Sequence, residues 1–104
     1  MKRFIVAVVG SFVLWASPVS AWDVCKHVEE MAENIMKNRQ AGASMSDMME
    51  IANSTESEAT RTVARHLVVK AYEMPRFSTE EHKRNIIIRF KNKAYLECYK
   101  ALNK

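Results

Sequence analysis

Three methionines, Met45, Met48 and Met49, fall within five positions of this sequence. Thioethers are soft ligands, and at i, i+3 and i+4 of a helix they converge on one side, where they could bind Cu(I). Ala52 at i+7 completes the stripe, so the same spacing also describes the inner face of a short helix. Methionine is a common filler of irregular cores. No His or Cys flanks the three sulfurs, and the core reading is preferred to the copper-binding one. A third reading is an adaptable apolar binding face, to which Met31, Met36 and Met74 would add.

Other chemistry is harder to assemble. Cys25 and Cys98 are the two cysteines, with no Cys-x-x-Cys and no His within four positions of Cys98. An even pair of this kind reads as a disulfide in an oxidising compartment. His27, His66 and His82 are scattered, and none has a second ligand at a zinc-site spacing. His27 and Glu30 share a helical face, as many such pairs do by chance. Asp23, Glu29, Glu30 and Glu33 mark a solvated face in which no acid/base pair stands out. The serines sit in helix caps, without a nucleophile elbow or a glycine-rich phosphate loop. An enzyme is not expected, and neither is a cofactor.

The elements that must carry these residues are helices. From Asp23, read as an N-cap, Val24, Val28, Met31 and Ile35 form an apolar arc with Cys25, Ala32 and Met36 beside them. Arg39 and Gln40 close that helix before Gly42. Ser44 to Asp47 is a capping signal for the methionine helix, which Asn53 and Ser54 end. Thr55 to Glu58 repeats the signal for a third helix reaching Met74, where Pro75 stops it. Ser78 to Glu81 opens the last helix, which runs towards Leu102 with Ile87, Ile88, Phe90, Ala94, Tyr95, Cys98, Tyr99 and Leu102 on its apolar half. Ile86-Ile87-Ile88 has strand-like propensity, but helical periodicity continues for four turns beyond it. The fold class is all-α: a bundle of about four helices with one disulfide joining the first and last.

The same last helix carries Lys83, Arg84, Arg89, Lys91, Lys93, Lys100 and Lys104 against three glutamates. Arg89, Lys93 and Lys100 cluster on its polar side. Such a run is ordinarily a solvated face; the sharper reading is an acidic partner or an anionic surface. The candidate binding surface is therefore Met45, Met48, Met49, Arg89, Lys93 and Lys100.

Compartment is read from the first residues. Lys2 and Arg3, an apolar stretch from Phe4 to Ala16, and Val19-Ser20-Ala21 have the three-part layout of a secretory signal. The apolar run is short for a membrane span. Residues 1–21 are expected to be a cleaved leader and 22–104 a single helical domain, periplasmic or secreted, without a stable membrane span. Losing Lys2 and Arg3 lowers the basic residues from 16 to 14 against 12 acids, so the net charge falls from +4 to about +2. Export and that small charge make nucleic acid an unexpected partner. Closing a loop of some 73 residues with Cys25–Cys98 stabilises a domain of this size by roughly 4 kcal/mol in the chain-entropy model.

The strings "MAENIMKNRQAG", "MSDMM", "AYEMPRF" and "FKNKAYLECYK", with Cys25 ahead of them, resemble small, functionally uncharacterised exported proteins of Gram-negative bacteria and their phages. The likeness runs through a Cys, a Met-x-x-Arg-Gln-x-Gly, a Pro-Arg-aromatic corner and a closing Cys. It implies one domain and a paired Cys25 and Cys98, and it brings no catalytic residue. A more distant likeness, of architecture alone, is to periplasmic acid-stress chaperones, through the Trp22-Asp-Val-Cys25 start. The expectation is a protein that acts by binding another protein, with a holdase-type chaperone and a metal-binding protein as alternatives.

Overall fold

The structure is a computed structural model and describes residues 21–103. The expected leader lies outside the described residues except for Ala21. Four helices follow one another: α1 (Ala21–Ala41), α2 (Met45–Asn53), α3 (Glu58–Tyr72) and α4 (Glu80–Leu102). There is no strand among the described residues, and the isoleucine triplet is helical.

Local sequence explains most of the boundaries. Gly42 ends α1 at φ +100°, a region that L side chains avoid, and a Cβ there would also lie 3.2 Å from the Arg76 guanidinium. Ser44 caps α2, its hydroxyl accepting from the Asp47 N–H at 3.1 Å. Three expectations shift by a few residues. Asp23 is not a cap: it sits in the first turn of α1, where its charge favours the positive end of the helix dipole. Ser57 rather than Thr55 caps α3, because the Thr55 hydroxyl is spent on the Ala52 carbonyl at the end of α2. Thr79 rather than Ser78 caps α4, accepting from the His82 N–H. Helix α3 also closes at Tyr72, short of Met74.

Helices α1 and α4 pack along each other over most of their length. They are antiparallel. The Cys25–Cys98 disulfide joins the start of α1 to the end of α4. Eight residues further along α1 and seven back along α4, Lys91 reaches Glu33 at 3.4 Å. Lys37 also pairs with Glu33 at 3.3 Å. The hydrogen bond from Lys37, with the charges of Lys37 and Lys91, holds the Glu33 carboxyl below its ordinary range against partial burial.

Helix α3 packs on α1, and α2 packs mainly on α3, whereas α3 and α4 hardly approach along their backbones. One core results, with Ala32, Ile35 and Met36 from α1, Met48 and Ala52 from α2, Ala64, Leu67, Val68 and Ala71 from α3, and Ile86, Phe90 and Ala94 from α4. The small residues at 32, 52, 64, 71 and 94 let the helix axes come close while the larger side chains interdigitate.

The methionine helix divides its stripe. Met48 is 5% exposed and belongs to the core, Met49 packs against the core without being enclosed, and Met45 is 40% exposed. Met48→Ala is therefore expected to cost about 2–5 kcal/mol, the range for emptying a buried side chain of this size. Met45→Ala should stay within about 0.5 kcal/mol, with Met49→Ala between them. Chemical unfolding of the three variants checks the ordering; equal losses at all three positions would contradict this packing.

Candidate protein-binding face

Two groups of polar side chains stand out, and they do different work. The first lies where the α3–α4 connection crosses the end of α1. Gln40 is 2% exposed, and its amide is fully engaged. Its Nε2 donates to the Pro75 carbonyl at 2.9 Å, and its Oε1 accepts from the Phe77 N–H at 2.8 Å. Arg39 donates through Nε and Nη2 to the Met74 carbonyl, at 3.2 and 2.9 Å, and lies 4.8 Å over the Tyr72 ring. Arg76 returns the contact, its Nε donating to the Gln40 carbonyl at 3.0 Å. The Tyr72 hydroxyl donates to the Ala43 carbonyl at 2.5 Å. Burial raises the pKa of this phenol, so it stays a donor through ordinary pH.

Arg39, Gln40, Tyr72 and Arg76 each bond the backbone of a neighbouring segment in this corner. The Met-x-x-Arg-Gln-x-Gly and Pro-Arg-aromatic stretches of the sequence meet here, and together they form a latch.

The second group is on α4. Its inward side is Ile86, Phe90 and Ala94. Its outward side carries Ile88, Leu96, Tyr99 and Leu102, all about half exposed, at 48–52%. Residues Asn85, Ile88, Asn92, Tyr95, Tyr99 and Leu102 follow a 3-4-3-4-3 spacing, so they form one stripe along the helix. Tyr95 and Tyr99 stack with ring centroids 6.5 Å apart and planes 11° from parallel. Asn92, Tyr95, Leu96 and Tyr99, with Glu29 of α1, line a shallow depression of about 460 Å³. Along one edge of the stripe run Arg89, Lys93, Leu96 and Lys100, at i, i+4, i+7 and i+11. None of these three cations forms an ion pair with the described residues, unlike Lys26, Lys37, Lys83 and Lys91.

No family of known proteins, no curated protein and no solved structure matches this chain. Its function must therefore be argued from the faces themselves.

The residues singled out from the sequence fall into separate places. Arg89, Lys93 and Lys100 share the α4 edge, whereas Met45, Met48 and Met49 lie on α2, whose main contacts are to α3. The two sets do not make one surface. Met45, Ser46, Met49, Glu50 and Asn53 border a separate open depression. With Met48 in the core, an ion held by all three sulfurs would have to reach inside the bundle. No cluster of three or more His, Cys, Asp or Glu side chains is placed to hold a metal among the described residues. His82 instead packs its ring against Phe77, with centroids 5.7 Å apart.

Sequence reading placed Ile88, Tyr99 and Leu102 on the inner face of the last helix; the structure turns them outward and turns Ile86 inward. Leu96 was not singled out at all. The signal was the width of the apolar half of this helix, too broad for the side of α4 that α1 and the side chains of α3 cover.

The latch makes a stability prediction. Gln40→Ala leaves the Pro75 carbonyl and the Phe77 N–H without their partner and should cost about 1–3 kcal/mol. Tyr72→Phe, which removes one hydroxyl donor, should cost about 1 kcal/mol. Thermal unfolding of the two variants checks this; an unchanged melting temperature for Gln40→Ala would show that the corner is not a latch.

Proposed function

We propose that this chain is a small exported protein without catalytic activity that binds another protein through the outward face of α4. The observation that carries the reading is the continuous stripe Ile88, Asn92, Tyr95, Tyr99 and Leu102, exposed except for the half-buried Tyr95 and bordered by unpaired cations. A single exposed leucine is ordinary, but aligned large apolar and aromatic side chains on one helix mark an interaction surface. Tyrosine is among the residues most enriched at such surfaces, because its ring gives contact area and its hydroxyl stays satisfied at a wet rim.

Export is supported by the leader layout of residues 1–21 and by the Cys25–Cys98 bond, a cross-link that persists in oxidising compartments. No described helix is long and apolar enough to cross a membrane. The side chains of Arg39, Gln40, Tyr72 and Arg76 are bonded to backbone groups, as a structural rather than a catalytic cluster requires. The resemblance to small exported bacterial and phage proteins agrees with this reading and names no activity.

Two outcomes are expected. The exported product should begin at Trp22 and have an intact mass two hydrogens below that of its reduced form. A product that retains residues 1–21, or that carries free thiols when folded, would contradict the export reading. A photo-activatable side chain at Leu96 or Tyr99 should give a discrete higher-mass adduct in cells, while one at exposed Glu30 should not. Leu96→Asp combined with Tyr99→Asp should abolish cross-linking from a probe at Ile88 without lowering the melting temperature. Adducts that survive this double change would remove the α4 face as the binding surface.

A further inference from the structure

We infer that the partner's docking element is an acidic amphipathic helix, laid lengthwise on α4 with its carboxylates against Arg89, Lys93 and Lys100. This deepens the proposal that α4 is the binding face and rests on it.

Shape comes first. The stripe from Ile88 to Leu102 is straight and about 21 Å long at 1.5 Å per residue, so it fits a partner helix of about four turns. Its 3-4 spacing is the one that receives side chains of a facing helix between its own. An extended strand would find no free backbone edge to pair with, since α4 satisfies its own. Asn92 lies in the middle of the stripe, beside Tyr95, Leu96 and Tyr99. A polar partner side chain can satisfy its amide.

Charge comes second. The cations on this edge are ones the fold leaves unpaired, although Glu33 takes up both Lys37 and Lys91 and Glu80 takes up Lys83. The nearest carboxylate of α4 is Glu97, at i+4 from Lys93, and it makes no ion pair with Lys93 or Lys100. Burying three such charges beside an apolar partner would be unfavourable, so a partner must bring opposite charge at matching positions. Carboxylates at i, i+4 and i+11 of the partner meet that need.

The same observations disfavour two other occupants. A second copy of the chain presents the same cationic edge, so two α4 faces would meet with like charges about their two-fold axis. An anionic membrane satisfies the cations, but acyl chains cannot bond the Asn92 amide in the centre of the stripe.

The test uses the disulfide-bonded domain from Trp22 to Lys104 and two synthetic helical peptides of about three heptads. Both carry the same leucine stripe; one has glutamates beside it, the other lysines. Binding is read by calorimetry or anisotropy, with phosphatidylglycerol vesicles and sedimentation of the domain alone as further arms. The acidic peptide should bind at least tenfold tighter than the basic one, and several-fold more weakly as salt rises from about 0.05 to 0.5 M. Arg89→Glu, Lys93→Glu and Lys100→Glu together should reverse the preference, with the helical circular dichroism and melting temperature retained as proof of folding. Leu96→Ala with Tyr99→Ala should weaken both peptides.

Equal binding of the two peptides, lost on Leu96→Ala with Tyr99→Ala, would keep α4 as the binding face and overturn its acidic partner. Peptide binding indifferent to changes at Leu96 and Tyr99 would overturn the face itself. Tighter binding to the vesicles than to the acidic peptide, dimerisation through α4, or no binding of either peptide would each overturn the inference.

Discussion

The buried amide of Gln40 bonds at once to the Pro75 carbonyl and the Phe77 N–H, and the rest of the arrangement depends on that bond pair. Residues 73–79 carry the chain from α3 to α4 while both helices rest on α1. Their backbones hardly approach one another, so the crossing point of this connection helps to set how the two sit along α1. Gln40 sets the crossing at one end of α1, and Cys25–Cys98 sets the position of α4 at the other. A backbone segment buried against a helix end must have its polar groups satisfied. The side chains of Arg39 and Gln40 meet that requirement for Met74, Pro75 and Phe77, and Arg76 does so for α1.

Fastening α4 at both ends has a consequence for its outer face. Helix α1 packs along one side of α4, and the side chains of α3 add cover only at Phe90, Ala94 and their neighbours. Ile88, Leu96, Tyr99 and Leu102 are thus left about half exposed by the geometry of the bundle, and the fold gains only part of their hydrophobic stabilisation. Helices of small bundles usually present charged or polar residues on such a side. Here the polar residues are displaced to one edge as Arg89, Lys93 and Lys100. A rigid helix, held by a cross-link and a latch, loses little conformational freedom when a partner lands on it. Such a surface is suited to recognition.

Much of the architecture was legible in the sequence, for identifiable reasons. Four apolar periodicities of 3.6, interrupted at Gly42, at Asn53-Ser54 and at Pro75, gave the four helices. Two cysteines, one at each end of the domain and each within an apolar arc, gave the antiparallel pairing of α1 and α4. Less legible were the caps, because Ser, Thr and Asp crowd each junction and only tertiary contacts decide among them. Arg61 illustrates this: it bonds the Thr55 and Glu56 carbonyls, drawing that junction towards α3 and leaving Ser57 as the cap. The latch was visible only as a string of residues, since Gln40 and Phe77 are 37 positions apart and nothing local indicates that they meet. The outward stripe of α4 was hidden by the assumption that an apolar residue on an amphipathic helix points inward. That assumption fails where a helix carries more apolar surface than its neighbours can cover.

The methionines show how an ambiguous pattern resolves under packing. Met45, Met48 and Met49 occupy one helical stripe in the sequence, yet they are exposed, buried and half-covered in turn. Helix α2 leans chiefly on α3, so only the part of its stripe nearest α3 and α1, Met48 and Ala52, reaches the core. A helix of nine residues has little intrinsic stability and must be held by its contacts. Those contacts are Met48, Ala52, the Ser44 cap and the Tyr72 hydroxyl on the Ala43 carbonyl just ahead of it. The methionine sulfurs thereby serve as adaptable filling between helices that do not mesh closely. Half of the exposed large apolar side chains among the described residues, Ile88, Leu96, Tyr99 and Leu102, lie instead on α4, beside its cations Arg89, Lys93 and Lys100.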